Sequence, residues 1–428
     1  MRSGSWSRAA AVAAALALPG VAGAQTADLV FAGWSWRTHD PSSRPAGFAG
    51  AYVAVADSVR TVSVNPAGLS LIPKAELAAG TASRWAGIGY SLRGLTAAPA
   101  PAATPPPPGR PTKPAQPVPC SPPRQSRPWA AGLFVEQAVA QDNQLETVRG
   151  PGLSETATLS SSVEQVGAGL AKGLAPWLDL GVTVAWSHLR LQGSTSQRDL
   201  AGDELARVTL GGDANKARAI VGALLTFGPP RDPTALRLGV AYHHDLLTWS
   251  MERTAIDRVR GVVTAGPARV DVVEPPVLAG GIAWRLSDTW LATGELDYIF
   301  YDRVRRALER NTDAATAAPF RLANGVEPRL AIELTRPSPT GGYFKLRAGI
   351  RRETSGRLGY DGTDTTLRQA FEAPSAAFRG AVGASLLGEF YENAFRFDID
   401  LSQVVVQRLT TLSAAGRRRL SIGLTLRM

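Results

Sequence analysis

The chain has 428 residues, 44% hydrophobic and 19% charged, with a formal net charge of +10 and one cysteine, Cys120. A single cysteine rules out an intramolecular disulfide and any cysteine-based metal cluster. The positive charge is spread thinly, with concentrations only at 110–127 and 417–419 and no interleaved aromatics, so nucleic acid is not an expected partner and anionic lipid headgroups suit the charge better.

The first residues predict an export signal. Arg2 and Arg8 precede an apolar run from Ala9 to Leu18, Pro19 and Gly20 break it, and Ala22-Gly23-Ala24 forms a small-residue cleavage pattern. This makes 1–24 a signal peptide and Gln25 the first mature residue. The run is too short to span a bilayer, and no later stretch offers the ~20 uncharged apolar residues of a membrane helix. A chain of this kind is a soluble periplasmic or secreted protein, or an outer-membrane β-barrel, whose strands carry a much weaker hydropathy signal.

From about Lys74 the dominant period is two, the period of strands. In 178–191, Leu178, Leu180, Val182, Val184 and Trp186 share one face and Asp179, Thr183 and Ser187 the other; Leu189 and Leu191 follow after a one-residue slip, which reads as a bulge near His188. In 290–301, Trp290, Ala292, Leu296 and Tyr298 oppose Thr293, Glu295 and Asp297. In 343–351, Phe344, Leu346 and Ile350 oppose Lys345, Arg347 and Arg351, and in 395–402, Phe395, Phe397, Ile399 and Leu401 oppose Arg396, Asp398 and Asp400. The chain ends with Leu420, Ile422, Leu424, Leu426 and Met428 in alternation.

A soluble sandwich would alternate in the same way with its apolar face inward. Three features favour a membrane barrel. The segments are long, about 10–16 residues, where soluble strands are commonly about 5–6 and a tilted membrane strand needs ~9–11. Trp177, Trp249, Trp290, Tyr298, Phe300 and Tyr301 stand near segment ends, like interfacial girdles. The face opposite the apolar one mixes Arg, Lys, Asp and Glu, as a wet, ion-paired lumen would. An open sheet edge in lipid leaves unpaired backbone groups, so the sheet must close. An Arg facing lipid at midplane would cost about 2–4 kcal/mol; Arg347, Arg351 and Arg396 avoid that on the polar face.

The expected strands are 74–93, 129–142, 155–173, 178–192, 215–227, 234–253, 277–287, 290–305, 326–336, 342–353, 376–387, 394–408 and 418–428, with one more in 203–213 or 259–274. Even strand counts are the rule in single-chain bacterial barrels, so the expected fold is an all-β, antiparallel transmembrane barrel of about 14 strands over 74–428. The stretch 97–128, with PPPP at 105–108 and Arg110, Lys113, Arg124 and Arg127, cannot be barrel wall and reads as an outer loop joining the first two strands. Segments 193–214 and 306–325 also read as outer loops.

Residues 43–77 read SRPAGFAGAYVAVADSVRTVSVNPAGLSLIPKAEL. The stretch resembles the N-terminal signature of FadL-like long-chain fatty-acid transporters of the outer membrane and of the related PorV-like barrels, a GxxGAxxAxAD segment followed by an NPA turn. The matching residues are Gly47, Gly50, Ala51, Ala54, Ala56 and Asp57, then Asn65, Pro66, Ala67, Gly68 and Leu69; Ser58 stands where many members have a second acid. Residues 273–304 look like that family's PP-strand-turn-strand hairpin. The resemblance implies that 25–73 is a hatch folded inside the barrel, that the ligand is a hydrophobic small molecule taken up by diffusion, and that no cofactor is needed. It also implies a lateral exit at a kink in an early strand, for which Gly167 and Gly169 are the candidates. Outer-membrane lipid and lipopolysaccharide would surround the barrel. The barrel-insertion machinery would receive a chain ending in Met428 where many such barrels end in an aromatic residue.

Within that frame, Phe31, Trp34, Trp36 and Phe48 would line a greasy pocket, Asn65, Pro66 and Ala67 would turn the chain from lumen to wall, and Lys345 or Arg347 would hold a carboxylate. Two alternatives remain open: a PorV-like scaffold with a secreted protein as partner, and a general porin. Enzyme chemistry finds little support. The adjacent His243 and His244 would point to opposite faces of a strand and cannot share a metal ion. GAGLAKG at 167–173 lacks the spacing of a phosphate loop, and no nucleophile motif accompanies His188 or His243.

Overall fold

The computed structural model describes Phe31 and residues 43–428 except 73, 82–83, 92–128, 149–152, 229–234, 258–261, 312–317, 339–341, 373–375, 391–392, 407–417 and 428. The expected signal 1–24, the Pro-rich stretch 97–128, Trp34 and Trp36 lie outside the described residues.

The strands, in order, are a short hairpin of β1 (Ala75–Gly80) and β2 (Trp85–Ser91), then the long β3 (Trp129–Val148), β4 (Leu153–Ala175), β5 (Leu178–Asp199) and β6 (Glu204–Phe227). Next come β7 (Leu236–Asp245), the hairpin β8 (Trp249–Asp257) and β9 (Val262–Val272), β10 (Val277–Arg285), β11 (Trp290–Ile299) and the two-residue β12 (Phe320–Arg321). The remainder are β13 (Gly325–Pro337), β14 (Tyr343–Glu353), β15 (Gly359–Tyr360), β16 (Ala377–Phe390), β17 (Asn393–Val406) and β18 (Arg418–Arg427). Among the described residues, 14 of these close into an antiparallel barrel, with β1 hydrogen-bonded to both β2 and β18, and β7 to both β6 and β10. The β8–β9 hairpin extends the sheet from the far part of β6 and is not part of the ring.

The count matches expectation, but its members differ. Residues 74–93 make two strands, turned at 81–84. Residues 203–213 continue into 215–227 as the single strand β6, and 193–199 belong to β5, so 193–214 is strand on both sides of a tight turn. Segment 234–253 divides, and only β7 joins the wall. Segment 306–325 holds the end of a helix, Asp302–Asn311, and β12.

Ala75 and Arg427 lie at one end of the barrel, here the terminal end, and so do Ser91 and Trp129. The chain therefore leaves β2 and enters β3 at the terminal end; the Pro-rich stretch between them, expected as an outer loop, lies outside the described residues. Apart from the span between Ser91 and Trp129, the longer connections are at the opposite, far end, including the β8–β9 hairpin and the segments 300–324 and 354–376.

The two faces of the wall follow the sequence period. Outward-pointing Leu180, Val182, Val184, Leu278, Ile282, Leu330, Ile332, Leu346, Val382, Ile399 and Leu424 are all exposed, as a lipid-facing band must be. Tyr90, Trp129, Trp177, Phe227, Trp284, Trp290 and Tyr343 rim the band toward the terminal end, and Trp186, Tyr242, Tyr298 and Phe378 toward the far end. Trp249 and Tyr301 do not belong to these girdles: both are buried, Trp249 facing inward.

The expected bulge near His188 is absent. Pairing runs through it on both sides, Glu164↔His188 and His188↔Asn215. The alternation is unbroken, but the chemistry changes sides. Below His188 the outward residues are apolar and the inward ones, Asp179, Thr183 and Ser187, polar and buried; above it His188, Arg190 and Gln192 point outward while Leu189 and Leu191 are buried inside. Beyond the far girdle the outside of the wall meets water, so the apolar parity moves to the covered inner face.

Candidate functional site

Residues 43–72 lie inside the ring and bond to walls on every side. A short helix, Ser43–Gly47, packs on β17, β16 and β18, and two 3-10 turns, Val59–Ser63 and Pro66–Leu71, pack on β1 to β6. The second turn starts as its sequence dictates. Asn65 is extended and its Oδ1 accepts a hydrogen bond from Ala67 N, while Pro66 takes the first position, where no amide hydrogen is needed. Asn65 Nδ2 donates to Val53 O at 2.7 Å and to Ala223 O at 3.2 Å, tying the turn to β6.

The strongest anchor is on β11. Glu295 Oε2 accepts from Tyr52 N (2.8 Å) and Val53 N (2.7 Å), and its Oε1 accepts from Arg329 Nη1 (2.6 Å), which also donates to Gly50 O (3.1 Å). Gly50 sits at φ 90°, a backbone conformation that favours glycine. Further bonds run from Thr183 Oγ1 to Val62 O, from Arg237 Nη1 to Val55 O, from Arg427 Nη2 to Asp57 O and from Val59 N to Glu76 Oε1, with His243 Nε2 at 3.0 Å from Val64 O.

Close packing of this plug requires bare wall. A Cβ at Gly132 would press on Leu69, at Gly181 on Pro66 and Ala67, at Gly222 on Asn65, at Gly239 on Val53 and Ala54, and at Gly349 on Ala49. These inward glycines and the Glu295–Arg329 anchor are the functional residues the sequence reading missed. Their signal was present as glycines at the polar parity, such as Gly181 between Asp179 and Thr183.

The lumen beside and above the plug is ionic. Arg347 lies against Asp398 and Asp400, each at 2.9 Å, and against Glu333 at 3.5 Å, where Lys345 also binds at 2.7 Å. Both cations expected to hold a carboxylate ligand are therefore engaged with wall acids. Lys216 bridges Asp245 (2.7 Å) and Glu274 (2.5 Å) under the ring of Trp249, and Arg218 pairs with the same two acids. Toward the far end the interior becomes apolar: Leu159, Val163, Leu189, Leu191, Leu210, Trp249 and Met251 form a buried cluster that Phe320, Leu322, Leu358, Phe371 and Phe31 cover.

The expected aromatic pocket is thus divided. Phe31 belongs to the far apolar cluster, whereas Phe48 packs with Tyr52 in the plug over Arg347. The wall does not part at Gly167 or Gly169. The ladders Phe134↔Gly167↔Ala185 and Gly132↔Gly169↔Thr183 are continuous, and the nearest register shift is at Gln137/Val139. Gly167 instead leaves room for the Phe134 ring, and Gly169, with Gly132, floors an outward groove of about 590 Å³. A gap in the ladder lies one strand away: the last residue of β3 paired to β2 is Val135, and among the described residues β3 from Glu136 to Val148 pairs only with β4, while β1 and β2 end at Gly80 and Trp85.

No protein-family model matches the chain, and no curated protein matches it. Solved structures do. A Pseudomonas aeruginosa FadL homologue superposes with a TM-score of 0.53 at 12% identity, covering 91% of this chain and 97% of its own. The CymD monoaromatic hydrocarbon channel gives 0.47 at 12% identity (90% and 96% covered), and the toluene transporter TodX of P. putida 0.48 at 13% (86% and 93%). At 12% identity, the first establishes a shared barrel fold.

Proposed function

We propose that this protein is an outer-membrane channel for diffusive uptake of hydrophobic compounds, long-chain fatty acids or hydrocarbons, with 43–72 as the hatch that closes the terminal side. The observation that carries this reading is the apolar lining of the far half of the lumen, set directly above a plug that blocks the passage. A pore for polar solutes gains nothing from Leu159, Leu189, Leu191 and Met251 at its mouth, and it would be closed by the plug. The fold shared with a FadL homologue and the motif at 43–77 support the same reading.

Bacterial barrels keep short turns on the periplasmic side and longer loops outside; three of the four longest connections leave the far end, which is therefore oriented to the exterior, the span between Ser91 and Trp129 being the exception. A ligand would part Phe31, Phe320 and Phe371 from the apolar wall and take their place. Burying about a dozen methylenes there would supply on the order of 10 kcal/mol before ordering losses. The plug stops the ligand below, and the gap beside β3, above the β1–β2 hairpin and in register with the far girdle through Val135, Val166 and Trp186, gives it a sideways exit at the membrane boundary.

The test is uptake of a labelled long-chain fatty acid and a labelled hydrocarbon by cells with and without the gene. Faster uptake with the gene is expected for at least one of them; equal uptake for both would end the proposal. Steady single-channel conductance should be small, and a large open current would favour a general porin.

A further inference from the structure

We propose that Arg60 is the anchor for the acidic head of an apolar ligand, a carboxylate-type monoanion that enters beneath the gap above the β1–β2 hairpin. This deepens the channel reading and rests on it. Arg60 is fully buried in the first 3-10 turn of the plug. Its Nη2 donates to Ala79 O at 2.6 Å, two residues below the turn where the hairpin stops. Its Nε and Nη1 have no hydrogen-bond partner among the described residues.

Other buried cations meet carboxylates directly: Arg351, Arg379 and Arg396 each pair with one acid. Lys216, Arg218, Arg329 and Arg347 each meet two or more carboxylates within 3.5 Å. Asp398 and Asp400 act on Arg60 only from a distance, because they are engaged with Arg347 and Arg396. A buried guanidinium with two unmet donor nitrogens calls for an acceptor, and the described residues supply none.

The surroundings define the rest of the ligand. Arg60 lies over the Trp85 ring at 4.8 Å, and Trp85 stacks on Phe134 inside a buried apolar cluster with Val59, Val62 and Leu69. A charged head would find donors at Arg60, and an aliphatic or aromatic body would find this cluster. A free inorganic anion would find only half of the site.

The test measures binding of palmitate and of methyl palmitate to the full-length mature protein in mild detergent, for the wild type, Arg60→Gln and Arg60→Lys. The wild type should bind both. Arg60→Gln should weaken palmitate tenfold or more and leave the ester within twofold, and Arg60→Lys should recover most of the palmitate binding. Equal losses for acid and ester, or no loss for the acid, would overturn the anchor while leaving the channel reading intact. If the wild type bound neither molecule, the anchor would fall, while the channel reading would still be decided by the uptake of hydrocarbon. Should Arg60→Gln not fold, a second arm uses the wild type and Trp85→Phe. The quenching assigned to Trp85 should be stronger with 2-bromopalmitate than with 16-bromopalmitate, and equal or reversed quenching would overturn the proposal.

Discussion

The two halves of β5 make the most instructive contrast in the molecule. From Leu178 to Trp186 the strand is apolar outside and polar inside; from His188 to Gln192 it is polar outside and apolar inside. Backbone, register and neighbours are the same, so only the surroundings differ. In the band, lipid is outside and the lumen inside is ionic. Beyond it, water is outside and the inner face is covered by loops. Apolar parity along a barrel strand thus reports which side is dry, and a switch of parity marks the membrane boundary without any bulge.

The largest expected effect lies at the plug in the lower half. Glu295→Ala leaves two buried plug amides without their acceptor and takes one of three carboxylates from Arg329, which should cost about 2–6 kcal/mol. Urea unfolding in lipid vesicles would measure this, and conductance should rise if the plug loosens. The contrast between the halves is sharpened next by a matched pair. Val182→Arg places a cation in the lipid band and should cost about 2–4 kcal/mol near midplane. Gln192→Arg, outward on the same strand, should stay within about 0.5 kcal/mol. Equal costs would erase the boundary drawn at His188. The inner and outer faces of the band form a smaller test. Gly222→Val drives a side chain into Asn65 and should cost about 1–3 kcal/mol, whereas Gly280, with nothing within 4 Å of a Cβ, should tolerate valine. Smallest is Asn65→Ala, which removes the cap of the Pro66–Leu71 turn and should cost about 1 kcal/mol in the same unfolding assay.

Much of the fold was legible because alternation is strong wherever one face meets lipid. Thr293, Glu295 and Asp297 against Leu296 and Tyr298 is decided by period alone. The hairpin at 74–93 was not, because Ala78, Ala79, Gly80 and Thr81 give no break that distinguishes a tight turn from a continuing strand. That turn brings Ser91 back to the end at which Ala75 starts, a change of side that the unbroken alternation does not signal. The slip at His188 marks a change of environment and not a bulge, and a period that assumes one environment along the whole strand does not separate the two. At the candidate site, the Asn65-Pro66 turn was readable from local chemistry. The role of Arg347 was not, because its partners Asp398 and Asp400 come from a strand 51 and 53 residues away in sequence. Gly167 and Gly169 looked like weak points for the same reason: what fills the space beside them, Phe134, Val62 and Leu69, comes from other strands and from the plug.

The central claim is that the barrel lies in the membrane up to the girdle at Trp186 and projects outward beyond it. Labelling of intact cells with a membrane-impermeant maleimide tests it directly, using Val182→Cys and Gln192→Cys in a background with Cys120→Ser. The account predicts that Gln192→Cys is labelled from outside and Val182→Cys is not. Labelling of Val182→Cys, or labelling of Gln192→Cys only after the cells are broken, would contradict it.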